Sequence, residues 1–338
     1  MTVFSGLPKP FYDETFSSWL HRVADQQFLD QELMLECIKK FAPDVQGDHD
    51  ALYASPGFAS CFAEELRGGI RDAFVLPDAP LLHFKTSNVY CPKCLQEDIA
   101  ADRAPGWRRS WRVQAVCVCL LHDHPVLLSR LEEPRFNAIN KPWLAFQEYV
   151  KSPTARLQTD FAITQSFAST APQKNRILLH LAARTQRWYS EVVSLGLEPR
   201  LSLKAARFLM YFWLWEDAYR QNVNGFARQY IRPLRGGGLS AAPRTGLGVQ
   251  KLFERVKMVH VAVAFWMLGI GYGVISEKEA GLIQSYIYSR STVFPAGAES
   301  VASAGRRCFS AETLAAIREE AIHELTEQEY NQIAWAIG

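Results

Sequence analysis

The sequence predicts a mainly α fold that holds one small metal-bound unit. Three observations lead there. Apolar residues recur at three- and four-residue spacing along most of the chain. Ser276 with Glu279, and Thr326 with Glu329, stand ahead of apolar runs in the capping-box pattern. One stretch breaks this texture with two spaced pairs, Cys91/Cys94 and Cys119/His122. The expected organisation is an N-terminal helix-turn-helix-like unit over residues 1–87, a zinc-ribbon-like unit over 88–135, and an all-helical C-terminal domain over 136–338.

In the first unit, Asp13 stands as an N-cap before Phe16, Trp19, Leu20 and Val23, which share one helical face. After a break at residues 26–30, the run QELMLECIKKF predicts a second helix. It buries Leu33, Leu35 or Cys37, Ile38 and Phe41, and stops before Pro43. Two short helices with a tight join resemble a helix-turn-helix. A third helix is expected over 60–74.

Helical spacing lapses over residues 88–128 and returns after Pro142. Helices are expected over 141–151, 172–195, 202–221, 248–268, 276–290, 310–325 and 326–337. The run from Val259 to Ile275 is the most apolar. It is interrupted by His260 and three glycines and falls short of the roughly 20 residues a membrane span needs, so a buried core helix is expected. Two stretches rich in Gly, Ala, Ser and Pro, residues 235–246 and 295–305, predict flexible segments.

The net charge of +2 excludes a uniformly basic nucleic-acid coat, so any such surface comes from local clusters. Seven unevenly spread cysteines make a poor disulfide framework and fit a reducing cytoplasm with a metal site. The N-terminal residues lack the apolar run of a signal peptide.

Each spaced pair, Cys91-Pro-Lys-Cys94 and Cys119-Leu-Leu-His122, can turn two donors onto one ion. Together they supply the four soft or borderline ligands of a closed structural zinc site. A closed shell leaves no position for water or substrate, which argues for scaffolding and against hydrolysis. Cys117 and His124 lie two residues from Cys119 and His122 and remain alternatives as ligands. Trp107, Trp111 and Val113 would form a small hairpin core between the pairs. Cys37, Cys61 and Cys308 are isolated and are expected to be buried thiols.

Enzyme signatures are missing. The chain has no His-x-Glu upstream of Cys91, as a zinc deaminase requires. It has no His-Glu-x-x-His, no Gly-x-x-x-x-Gly-Lys-Ser/Thr and no Gly-x-Ser-x-Gly. A zinc-dependent nucleic-acid enzyme stays as the alternative from another class, because acidic groups from distant segments are invisible in one sequence.

Two stretches now combine. The opening GLPKPFYDETFSSWLHRVA resembles the start of the TniQ/TnsD family at Pro8, Pro10, Glu14, Ser17, Trp19, Leu20, Arg22 and Ala24. The cysteine segment resembles the zinc segment of the same family at Tyr90, Cys91, Pro92, Cys94, Leu95, Glu97, Asp98, Trp107, Arg108, Trp111, Val116, Cys119, His122 and Leu127. Leu120 and Asp123 depart from the family's usual proline and glycine, and no second cysteine ribbon follows.

The resemblance covers roughly the first 130 residues. It implies a non-enzymatic target selector of Tn7-like transposons with one structural zinc ion. Such a protein links a target-bound complex, here an RNA-guided CRISPR effector with guide RNA or target DNA, to the AAA+ transposition regulator. A homodimer is left open. The alternative within the family is a TnsD-type selector that binds its DNA site directly.

Candidate nucleic-acid or partner contacts are Arg103, Arg108, Arg109 and Arg112, interleaved with Trp107 and Trp111. A second basic stretch includes Arg228, Arg232, Arg235, Arg244 and Lys251.

Overall fold

The computed structural model describes residues 6–131, 139–151, 172–216, 224–231, 253, 256–287 and 293–338. It is mainly helical, with four two-residue strands among the described residues. Residue contacts divide the chain into two units. One comprises the described residues of Met1–Val116 and Ser129–Arg156; the other comprises those of Cys117–Leu128 and Leu157–Gly338.

The first unit begins with α1 (Phe16–Gln26) and α2 (Gln31–Phe41). Thr15, not Asp13, caps α1, accepting from the Ser18 N–H. Asp13 sits at φ +63 and takes the Ser110 N–H on its carboxylate instead. The apolar face of α1 is as expected: Phe16, Trp19, Leu20 and Val23 are buried. Phe16 packs edge-on against Phe58 and Phe74, at centroid distances of 5.8 and 5.2 Å.

α2 is less buried than its sequence predicts. Among its described side chains only Ile38 is buried; Met34, Leu35 and Phe41 are partly so, while Leu33 and Cys37 face solvent. A helix at the rim of a core needs one narrow apolar stripe, and the remaining apolar residues are left outside. Cys61 is likewise exposed and Cys308 half-buried, correcting the expectation of buried thiols.

After α2 come two 3₁₀ turns, Ala42–Val45 and His49–Ala54. The expected third helix is two: α3 (Pro56–Ala59), capped by Ser55, and α4 (Glu64–Phe74). β1 (Val89–Tyr90) leads into α5 (Pro92–Ala100), a helix not anticipated in the cysteine segment. β1 pairs antiparallel with β4 (Ser129–Arg130), and α6 (Lys141–Lys151) packs against α5. A 3₁₀ turn, Arg109–Arg112, occupies the place of the expected hairpin core.

The second unit contains the β2 (Val118–Cys119) and β3 (Val126–Leu127) hairpin and a helical body. Gln186 on α7 (Pro172–Trp188) fastens the hairpin. Its side-chain carbonyl accepts from the N–H groups of Cys117 and Val118, and its amide donates to the Val118 carbonyl. A π-helical turn, Tyr189–Val193, extends α7.

The centre of the body is α10 (Met258–Gly271), buried from Met258 to Ile270. It begins ten residues later than the sequence predicts. α7, α8 (Leu203–Leu214) and α9 (Phe226–Tyr230) pack on it. The remaining helices are α11 (Glu277–Tyr286), α12 (Ala298–Arg306), α13 (Ala311–Glu324) and α14 (Glu327–Ile337). Both expected capping boxes are formed, at Ser276/Glu279 and Thr326/Glu329.

α12 overturns the expectation of a flexible segment at 295–305. Its small residues are what packing needs there: Val301, Ala302, Ala304 and Gly305 are buried, and a Cβ on Gly305 would meet the Phe212 ring at 2.8 Å. The other predicted flexible stretch, 235–246, lies outside the described residues. No helix among the described residues is long and apolar enough to cross a membrane.

Candidate metal centre

Cys91 and Cys94 are positioned by the start of α5. Cys91 is the residue before the first helical turn, Pro92 opens that turn with its pre-set φ, and Cys94 stands two positions later. Cys119 lies on β2, and His122 follows in the tight connection to β3.

The four side chains each offer one donor atom, and these atoms all lie within 4.8 Å of one another. The three cysteines are buried and the histidine is partly so. A tetrahedral zinc ion with Zn–S bonds of about 2.3 Å would set its donors about 3.7 Å apart, so the set fits such an ion with small adjustments. Among the described residues, no other group of three or more His, Cys, Asp or Glu donors is gathered this closely.

The two alternative ligands stand outside this group. Cys117 is fully buried, which pushes its thiol well above the ordinary range and favours the neutral form. The His124 ring instead meets the His180 ring edge-on at 5.9 Å.

The cysteine segment is tied to the N-terminal helix by backbone and side-chain bonds. The Thr15 N–H donates to the Trp107 carbonyl at 2.8 Å, and the Trp107 N–H donates to Ser18 Oγ at 2.9 Å. Glu14, fully buried, accepts from Ser18 Oγ and from the Arg22 guanidinium. Arg22 also stacks over the Phe11 ring, and the Trp19 indole N–H donates to the Pro8 carbonyl.

Here the arginines expected to meet nucleic acid separate. Arg108 is buried, with Nη2 2.8 Å from both Asp98 oxygens. Arg112 is also buried, and it pairs with Asp48 and Asp50 and donates to the Leu82 carbonyl. Both therefore neutralise interior carboxylates and are withdrawn from any phosphate, correcting that expectation. Arg109 is bound to Asp13 and to the Val75 carbonyl. Arg103 is the half-exposed member, 3.4 Å from Asp98. Trp107 and Trp111 are core residues, packed edge-on at 5.4 Å.

Arg228 is a structural residue too: it pairs with Glu216 at 2.9 Å and donates to the Leu214 carbonyl. Arg232, Arg235, Arg244 and Lys251 lie outside the described residues. Sequence reasoning missed that Asp48, Asp50 and Asp98 would pair with these arginines. A carboxylate gives no sign in the sequence that an arginine distant along the chain will pair with it.

The family model described as TniQ matches residues 6–126. Over this stretch the chain is similar to TniQ domains. No curated protein and no solved structure matches the chain. The matched span contains both α1 with its Glu14–Arg22 pair and all four donors of the candidate metal centre.

Proposed function

We propose that this chain is a non-enzymatic adaptor that selects the target of a Tn7-like transposition event. In this reading it joins an RNA-guided effector complex on DNA to the AAA+ regulator, which brings the transposase. The observation that carries the proposal is the TniQ domain over residues 6–126, with its four-donor set complete. Cys91, Cys94, Cys119 and His122 would hold one zinc ion and leave no coordination position for a substrate. The ion's role is then to fix the fold, and the chain works in the cytoplasm by binding alone.

The phosphate-facing surface falls to Arg103 and to the basic run Arg232, Arg235, Arg244 and Lys251. The test is binding by the purified chain at physiological salt. Capture of the regulator together with a guide-loaded effector, and weak binding to bare duplex, supports the adaptor reading. Tight, sequence-specific binding to bare DNA would instead establish the TnsD-type reading. Zinc-dependent DNA cleavage that survives purification would overturn both.

A further inference from the structure

Two cysteines isolated in the sequence are neighbours in the fold. Phe41 of α2 lies against α3: a Cβ on Gly57 would meet the Phe41 ring at 3.0 Å, and the Phe41 and Phe58 rings stand edge-on at 5.7 Å. Cys37 is four residues before Phe41, one turn back on the same face of α2. Cys61 is four residues after Gly57 and continues the turn of α3. Its N–H donates to the Phe58 carbonyl at 3.0 Å and its thiol to the Gly57 carbonyl at 3.7 Å. Each thiol thus stands one helical turn from a single helix contact.

Both side chains are exposed. What burial Cys37 has, then the charge of the neighbouring Cys61 sulfur, raises its pKa, and Lys40 draws it back down. The other cysteines are placed differently. Cys91, Cys94 and Cys119 belong to the donor group, Cys117 is buried, and the half-buried Cys308 thiol donates to the Ala304 carbonyl at 3.3 Å. A cysteine that serves as a small apolar filler is covered by the core. Cys37 and Cys61 are instead open to reagents in solution.

We infer that Cys37 and Cys61 are a modification site, which hydrogen peroxide oxidises to a reversible disulfide tying α2 to the end of α3. One thiolate attacks a peroxide oxygen; the O–O bond breaks, hydroxide leaves and a sulfenic acid forms. The second thiolate attacks that sulfur; the S–O bond breaks, the S–S bond forms and a second hydroxide leaves. The two thiol protons turn both hydroxides into water, so two electrons pass from the sulfurs to the peroxide. Two molecules of a small thiol reverse the step by exchange and are themselves joined as a disulfide. A transient, sensing disulfide of this kind suits a reducing compartment. The inference is independent of the adaptor reading.

The experiment treats the zinc-loaded full chain with graded hydrogen peroxide. Free thiols are then alkylated under denaturing conditions and the peptides mapped by mass spectrometry. A cross-linked pair of peptides holding Cys37 and Cys61, two hydrogens lighter than the reduced peptides, should appear before zinc is released. It should vanish on adding dithiothreitol. The bond closes the chain over residues 37–61 and restricts the unfolded state, so the oxidised chain should melt about 5 °C above the reduced one. Cys37→Ser and Cys61→Ser change exposed side chains and should fold and bind zinc as the wild type does. Each should abolish both the cross-link and the rise in melting temperature.

Separate oxygen adducts on the two sulfurs with no cross-link would overturn the inference, because they would show that the sulfurs do not meet. So would thiols that stay reduced at peroxide levels that already release zinc. A disulfide between two chains at either cysteine overturns it in favour of a contact between copies. A link from Cys37 or Cys61 to a donor cysteine overturns it as well. A cross-linked chain that melts below the reduced one would show that the bond forms only by distorting the helices, with the same result. The wild-type peptide map decides even where a variant fails to fold.

Discussion

Arg112 and Asp50 form a buried ion pair, Nη1 to Oδ2 3.0 Å, across 62 residues of sequence. Their exposures are 1% and 2%, so neither charge has water to fall back on. Asp50 also accepts from the Ser17 N–H and hydroxyl, which brings the first turn of α1 into the same network. Lys141 is buried nearby, donating to the carbonyls of Phe84 and Ser87. Ser17 is one of the positions at which the chain resembles the TniQ/TnsD family. Its role here is to position the helix.

Replacing Arg112 by Met should therefore destabilise the fold and have no separate effect on nucleic-acid affinity. Removing one partner of a buried pair leaves an uncompensated charge and costs about 3–5 kcal/mol. The measurement is a urea midpoint at neutral pH. Arg103→Ala, at a half-exposed side chain, should leave that midpoint unchanged within about 0.5 kcal/mol. Equal loss in the two variants would mean that burial does not distinguish them.

What the sequence made legible was local. The boundaries of α6, α13 and α14 follow from periodicity and caps, because those signals lie within a few residues of the helices they set. The spacing of Cys91, Cys94, Cys119 and His122 pointed to the four side chains that the fold gathers into a group able to hold a metal ion. Asp13 misled because a carboxylate two residues ahead of the true cap looks like one until Ser110 is seen to claim it. α12 misled because Ala, Ser and Gly are what both a linker and a close helix crossing use. The buried arginines misled for the same reason: only the fold brings Asp48, Asp50 and Asp98 to them.

The metal centre gives a second prediction. Elemental analysis should find one zinc ion per chain. Cys94→Ser should release it and promote aggregation, since the two donor pairs then lose their shared ion. Cys117→Ser should retain the zinc, because Cys117 stands outside the four-donor group. Loss of zinc on changing Cys117, or a count of two, would move the ligand register.

His260 gives a third prediction. Burial, then the nearby Arg228 charge, lowers its pKa from 6.5 to about 3, and its Nε2 donates to the Ile231 carbonyl at 2.9 Å. The folded state therefore keeps the ring neutral while the unfolded chain takes up a proton below pH 6.5. Stability from this residue is present above pH 6.5 and is lost as pH falls toward 3, at about 1.4 kcal/mol per unit. His260→Gln keeps a donor for the Ile231 carbonyl and cannot titrate. Its urea midpoint should change less between pH 7 and pH 5 than the wild type's. Parallel acid limbs in the two proteins would place the titrating group elsewhere.

The last prediction concerns which cations meet the target complex. Arg228 is spent on Glu216 and the Leu214 carbonyl, and burial pushes its own pKa down. Changing it would test folding of the α8–α9 connection and say little of phosphate contact. Arg232, Arg235, Arg244 and Lys251 follow within a short basic run in which glycine, alanine, serine and proline are frequent. Such a run can follow a phosphate backbone, and its affinity comes from displaced counterions. Replacing these four together by Ala should lower target-complex affinity by about 10-fold or more at low salt and flatten its salt dependence. The melting temperature, zinc content and regulator binding should stay as in the wild type. Arg228→Ala should do the reverse, lowering the melting temperature while leaving the salt slope intact. If the fourfold variant keeps the wild-type salt slope, phosphate recognition lies elsewhere on the chain, with half-exposed Arg103 the next residue to change.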